Sequence, residues 1–154
     1  MNILVVGGAG YIGSHMVKQL NRSGHSVVVL DNLTTGFRES ARFGELVVGD
    51  LADTVLLEQL FRTHHFDGVM HFAACSLVGE SVHAPDKYYR NNVSNTLNLL
   101  GVMARFGVKN FIFSSTAATF GEPAYVPIDE AHPQQPINPY GASKLMVERL
   151  LKDY

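Results

Sequence analysis

Two residues near the end of this 154-residue chain have the types and the spacing for proton transfer. Tyr140 and Lys144 stand at i and i+4 in a segment read as helix, so they share a face. A lysine ammonium beside a phenol stabilises the phenolate, and such a tyrosine can take or return a hydroxyl proton at neutral pH. Y-x-x-x-K alone is a weak signal, because a solvated helix pair has the same spacing. Its context strengthens it. The preceding apolar strand is expected to end in Ser114-Ser115-Thr116, at the carboxyl edge where open α/β sheets bind ligands. A hydroxyl at that edge could hydrogen-bond a substrate oxygen as its proton leaves.

A second constellation lies at the N-terminus, where an apolar run runs into GGAGYIG, Gly7 to Gly13. Gly7, Gly10 and Gly13 make G-x-x-G-x-x-G, one residue off the commoner G-x-G-x-x-G. Gly7 and Gly8 suit a tight turn, and Gly10 suits close approach of backbone N–H groups to a pyrophosphate. Gly13 suits close helix–sheet packing, with phosphate on the positive helix end. Asp31 follows at the end of the next strand, where a carboxylate can accept both hydroxyls of a ribose. A 2′-phosphate would be repelled there and Asn32, not an arginine, comes next, so the expected cofactor is NAD rather than NADP. The competing reading is a plain structural turn, with Asp31 capping the loop behind it. Asp50, in Gly49-Asp50-Leu51, could accept the adenine amino group with Leu51 against the ring, although Gly-Asp is also an ordinary turn dipeptide.

These residues need strands and helices to hold them, and the hydrophobic pattern supplies both. Residues 3–6, 27–30, 46–48, 68–72 and 108–114 read as strands. Helical spacing runs over 11–22, ahead of Gly24. It recurs in a helix capped by Asp53 and in a long helix from about Asp86 to Phe106, ahead of Gly107. Five prolines between Pro123 and Pro139 mark a loop, and a last helix starts near Tyr140. Strands alternating with helices predict an α/β fold, a Rossmann-like doubly wound parallel sheet with right-handed crossovers. One domain is expected, spanning 1–154 and binding NAD.

Composition bounds what else the chain could do. It is 46% hydrophobic and 17% charged, which fits a packed globular domain and excludes a disordered or collagen-like chain. Twelve basic against fourteen acidic residues give a net charge of −2, so no global basic field is present for nucleic acid or an anionic membrane. Ile3 to Val6 is too short to span a bilayer and follows no basic n-region. Cys75 is the single cysteine, which points to an intracellular, cytoplasmic protein rather than a disulfide scaffold. Among the seven histidines, His64 and His65 are adjacent, and no H-x-x-x-H or C-x-x-C occurs, so no metal is expected.

Read together, GGAGYIGSH (Gly7–His15), LDNL (Leu30–Leu33), GDL (Gly49–Leu51), HFAA (His71–Ala74), VGESV (Val78–Val82), NNV (Asn91–Val93), FSST (Phe113–Thr116) and PYGASK (Pro139–Lys144) resemble the extended short-chain dehydrogenase/reductase family. VGESV and the Asn pair are similar to its nucleotide-sugar epimerase branch. The resemblance implies NAD-dependent 4-epimerisation of a UDP-hexose through a transient 4-keto sugar, an isomerase reaction that leaves NAD unchanged overall. It implies that Tyr140 deprotonates the sugar 4-hydroxyl, that Lys144 holds the nicotinamide ribose and favours the phenolate, and that Thr116 is the catalytic hydroxyl. Tyr140 and Thr116 would also touch the substrate. It further implies NAD contacts from Gly7, Gly10, Tyr11, Ile12, Gly13, Asp31, Asn32, Asp50, Leu51, Phe72, Ala73, Ala74, Asn92 and Ser114, besides Tyr140 and Lys144.

Two positions depart from the pattern. Ser76 stands where these epimerases carry a lysine, which weakens one expected contact to a cofactor phosphate. Thr119-Phe120-Gly121 replaces the usual Val-Tyr-Gly and removes a phenol near the sugar. A nucleotide-sugar 4,6-dehydratase shares most of the motifs, but it needs an Asp-Glu pair after the catalytic hydroxyl, and Ala117-Ala118 follow Thr116 here. A non-catalytic NAD-binding sensor would need the glycine loop but not Tyr140, Lys144 and Thr116. For the length, the resemblance implies the N-terminal part of a longer enzyme, stopping before the later strands and the nucleotide-sugar domain. Such a chain is expected to bind NAD but to be inactive alone, and the full-length protein to be a homodimer.

Overall fold

The apolar runs become five parallel strands: β1 (Asn2–Val6), β2 (Ser26–Asp31), β3 (Glu45–Val48), β4 (Gly68–His71) and β5 (Asn110–Phe113). Their order in the sheet is β3-β2-β1-β4-β5, with Val5 paired to Val29 on one side and Met70 on the other. That order reverses direction at β1, so the crevice at the carboxyl end of the sheet opens beside the glycine loop. The computed structural model describes residues 1–154 and divides into two compact units, Met1–Ala73 with Asn98–Ser114, and Ala74–Leu97 with Ser115–Tyr154.

The first unit holds the whole sheet. Helix α1 (Tyr11–Arg22) buries Val17 and Leu20 in a cluster with Ile3, Val5, Val27 and Val29. Because side chains alternate along a strand, Leu4, Val6, Val28 and Leu30 are buried on the opposite face. Helix α2 (Thr54–His64) begins where Asp53 accepts a hydrogen bond from the Leu56 N–H, a cap worth about 1 kcal/mol. Its Phe61 is buried and meets Phe66 and Phe106 ring to ring.

One expectation is corrected. The strand expected over 108–114 covers only Asn110–Phe113. Gly107, at φ +70°, turns the chain out of the preceding helix, and the Val108 N–H closes back on the Met103 carbonyl at 3.0 Å. Val108 thus belongs to the helix cap. The long helix expected from about Asp86 to Phe106 is present as one unbroken helical run, α4 (Pro85–Tyr88), a π-helical segment Tyr89–Ser94 and α5 (Asn95–Arg105), and only the widened turn in its middle was not expected.

The second unit also has a helix that periodicity did not reveal, α3 (Val78–His83), six residues long and placed on the VGESV motif. A short 3₁₀ turn, Ala117–Thr119, follows Thr116, and α6 (Pro139–Leu150) closes the chain. Helix α6 packs against α3, α4, the π segment and the 3₁₀ turn. No helix of the protein is long and apolar enough to cross a membrane.

Candidate functional site

In the first unit, the glycine loop is shaped by contacts that leave no room for a side chain. Gly7 has φ +77°, and a Cβ there would lie 2.8 Å from the Ala73 Cα. A Cβ on Gly13 would clash with the Gly7 carbonyl oxygen. Gly10 is the N-cap of α1 and offers no side-chain cap, and the first turn contains no acid. The leading N–H groups of α1 are therefore left for an anion, with the positive helix end behind them. Tyr11 and Ile12, expected to touch cofactor, are 83% and 58% exposed on that same turn.

Asp31 is nearly buried and already does the loop-capping task weighed against its ribose role. Its Oδ2 accepts the Ala9 N–H at 2.9 Å and its Oδ1 the Leu33 N–H at 2.8 Å. Each carboxylate oxygen has a further lone pair, so the same contacts that fix the carboxylate leave it able to accept ribose hydroxyls. Asn32 donates to Asp50 Oδ2 at 2.7 Å, and Asp50 Oδ1 accepts the Ala52 N–H at 2.9 Å. Leu51 is buried. The Phe72 N–H bonds to the Val6 carbonyl, and the Ser114 N–H to the His71 carbonyl, so Phe72 and Ser114 continue the ladder past the strand ends. Ala73 ends this unit's first segment. The group fits: an uncapped helix N-terminus, a loop that only glycine can form and a pinned acid are what a dinucleotide requires.

The second unit carries the residues expected to handle the proton, Tyr140, Lys144 and Thr116. Asn138 caps α6 by accepting the Gly141 N–H at 2.8 Å, and Pro139 occupies its first turn. That fixes the helix register and puts Tyr140 and Lys144 on one face. The Tyr140 ring lies edge-on to the fully buried Tyr88 ring, with centroids 6.4 Å apart and planes at 78°. Lys144 is 3% exposed. Burial pulls its ammonium down to about 8, and the field of Glu148 opposes that fall. Thr116 caps the 3₁₀ turn by accepting the Ala118 N–H at 3.2 Å, a bond that does not use its hydroxyl proton. Ala74 opens this unit, and Ser76 and Phe120 are the residues present at the two departures.

Asn92, expected beside the cofactor, has its side-chain amide hydrogen-bonded within the protein. Its Oδ1 accepts from the Cys75 N–H and from Asn91 Nδ2, both at 2.9 Å. Its Nδ2 donates to the Cys75 carbonyl and to Ser143 Oγ, both at 3.0 Å. That uses the full capacity of the amide inside the protein. Ser143, itself buried, passes the contact on by donating to the Tyr140 carbonyl at 2.7 Å. Asn92 thus ties the π segment and the Cys75 loop to the first turn of α6, and acts on Tyr140 by positioning it.

Sequence reasoning missed a further group in this unit. The Tyr88 hydroxyl lies 2.7 Å from both the Leu77 carbonyl and Glu80 Oε2, and it accepts the Leu77 N–H. Glu80 Oε1 accepts from Lys87 Nζ at 2.6 Å. Burial first, then Glu80, pushes the Tyr88 phenol up to about 12. Lys87 and then Tyr88 hold Glu80 below the usual carboxylate range. The only trace of this group in sequence is the VGESV motif, which does not name its partners.

Residues 3–154 match the model of the NAD dependent epimerase/dehydratase family. The chain is 53% identical to a UDP-glucose 4-epimerase of Lacticaseibacillus casei over 98% of its own length and 46% of that protein's. It superposes on the crystal structure of UDP-glucose 4-epimerase from Brucella ovis in complex with NAD with a TM-score of 0.97 and 49% identity, covering 99% of this chain and 47% of that one. For the UDP-glucose 4-epimerase of Bifidobacterium longum in complex with NAD+ and UDP, the TM-score is 0.96 at 39% identity, with 99% and 48% covered. The chain therefore spans about half the length of the curated relatives it matches.

Proposed function

Because the chain belongs to the NAD dependent epimerase/dehydratase family, we propose that the whole protein interconverts the C4 epimers of a UDP-hexose, UDP-glucose and UDP-galactose, with NAD as resident cofactor. The observation that carries this reading is Tyr140 paired on one helix face with a buried Lys144, in a chain about half identical to UDP-glucose 4-epimerases.

The uncapped N-terminus of α1 and the Gly7–Gly13 loop would hold the pyrophosphate, and Asp31 the adenosine ribose. Asn32, Asp50 and Leu51 would carry the adenine end, with Phe72, Ala73, Ala74 and Ser114 lining the cofactor. When bound, NAD supplies the acceptor and then the donor of the C4 hydride. Tyr140 takes the 4-hydroxyl proton as the sugar becomes a 4-keto sugar, and returns it to the oxygen when C4 is reduced on its other face. Thr116 donates its free hydroxyl proton to the same oxygen. Lys144 binds ribose hydroxyls and stabilises the Tyr140 phenolate. Asn92 keeps Tyr140 in place through Ser143. A homodimer in the cytoplasm completes the proposal for the whole protein.

The test is to supply the whole protein with UDP-glucose, UDP-galactose and their N-acetyl forms and to resolve the products by NMR. Conversion of at least one pair is expected, and conversion of none refutes the reading. The 154 residues by themselves are expected to bind NAD weakly without turnover, and measurable turnover by them would overturn that part.

A further inference from the structure

Glu148 lies one helical turn beyond Lys144 on α6, and both of its carboxylate oxygens are held by other segments of the second unit. Ser115, the residue before Thr116, donates its hydroxyl to Oε1. Gln134, from the proline-rich loop, donates its amide to Oε2 at 2.6 Å. Both donors are uncharged, so they fix the direction of the carboxylate without neutralising it. An ion pair with an exposed arginine would have spent that charge.

Lys144 needs such a charge. At 3% exposure its ammonium has lost almost all contact with water, and burial favours the neutral amine. The elements packed against α6 bring Glu80 and His83 on α3, Asp86, Lys87 and Tyr88 on α4, and Tyr89 and Arg90 on the π segment. Glu80 and Lys87 are occupied with each other and with Tyr88. On α6 itself the titratable neighbours are Tyr140, Glu148 and Arg149, and Arg149 pairs with Asp153 at 3.0 Å. Glu148, one turn along the same helix face, carries a charge whose field favours the Lys144 ammonium.

We infer that Glu148 is a positioning residue that keeps Lys144 an ammonium, with Ser115 and Gln134 aiming its carboxylate for that task. The inference deepens the proposed function and rests on it where it concerns activity, since only the charged amine can stabilise a Tyr140 phenolate. The same hydrogen bond from Ser115 ties the segment bearing Thr116 to the helix bearing Tyr140.

The direct test is a titration of this chain followed by ¹³Cε NMR of its five lysines, with the Lys144 signal assigned from its absence in Lys144→Arg. Glu148→Gln is expected to lower the Lys144 midpoint by about 0.5–1 pH unit, as loss of an opposite charge one turn away should. Glu148→Asp, which keeps the charge, is expected to bring the midpoint back toward wild type. An unchanged midpoint in a folded Glu148→Gln chain overturns the inference. Should that variant not fold, the Ser115→Ala, Gln134→Ala double variant carries the test. Freeing the carboxylate should lower the midpoint, and no change there also overturns it. In the whole protein, Glu148→Gln should move the alkaline limb of kcat in the same direction, whereas a purely structural role would lower kcat at every pH. A shifted midpoint in a protein that epimerises nothing would refute the proposed function and support the coupling of Glu148 to Lys144.

Discussion

Replacing Lys144 by methionine should make this protein more stable at neutral pH. The side chain is 3% exposed, and burial has pulled its ammonium from 10.5 down to about 8. At roughly 1.4 kcal/mol per pH unit, that fall makes the buried charge cost about 3 kcal/mol. The sign follows from which state binds more protons. Below pH 8 both folded and unfolded chains hold the proton, and the cost is present in full. Between pH 8 and 10.5 the unfolded chain binds more protons, so stability rises with pH. Above 10.5 both are neutral and the cost is gone. Lys144→Met removes the charge at every pH, but it leaves Glu148 without the cation its field acts on, which takes back a part. The expected gain at pH 7 is therefore about 1–3 kcal/mol, with no rise between pH 8 and 10.5. Urea unfolding at pH 7 and at pH 9.5, with wild type and variant side by side, measures both quantities. Equal stabilities at pH 7, or the same pH slope in both proteins, would refute the reasoning.

Other substitutions probe the remaining parts of the site. Gly13→Ala puts a methyl group in clash with the Gly7 carbonyl oxygen, backbone that cannot yield, and should cost about 2–3 kcal/mol together with NAD binding; urea unfolding and nicotinamide fluorescence check it. Asn92→Ala leaves the Cys75 N–H, the Cys75 carbonyl and Ser143 without their amide partner and should lower stability by about 3 kcal/mol, read from the urea midpoint. Tyr140→Phe in the whole protein keeps the ring that meets Tyr88 but removes the acid–base group; epimerisation should fall by at least about 100-fold while NAD affinity holds.

Much of the scaffold is legible in the sequence because its causes are local. The apolar runs from Ile3, Val27, Leu46 and Gly68 became β1 to β4, and Asp53 capped α2 as its residue type requires. The end of β5 was less legible, since Val108 is as apolar as any strand residue. Only the Schellman closure onto Met103 assigns it to the helix. The short α3 lay below the length at which a helical period can be recognised, and the π segment has no signature in residue type.

The sequence by itself determined which residues could do the chemistry and on which face they stand. Gly7 to Gly13 shape a turn through backbone sterics within seven residues, and the helical period places Tyr140 beside Lys144. What those residues do in place was decided by contacts across long stretches of chain. Asn92 meets Cys75 seventeen positions away and Ser143 fifty-one positions away, and so clamps two distant segments together. Asp31 meets Ala9 twenty-two positions away and is pinned before any ribose arrives. Lys144 is an ordinary lysine in sequence; burial alone lowers it, and the carboxylate held by Ser115 and Gln134 opposes that. The physical reason is that backbone geometry is set by neighbouring residues. Desolvation and hydrogen-bond partners depend on which distant segments pack together, and those are fixed only when the chain folds.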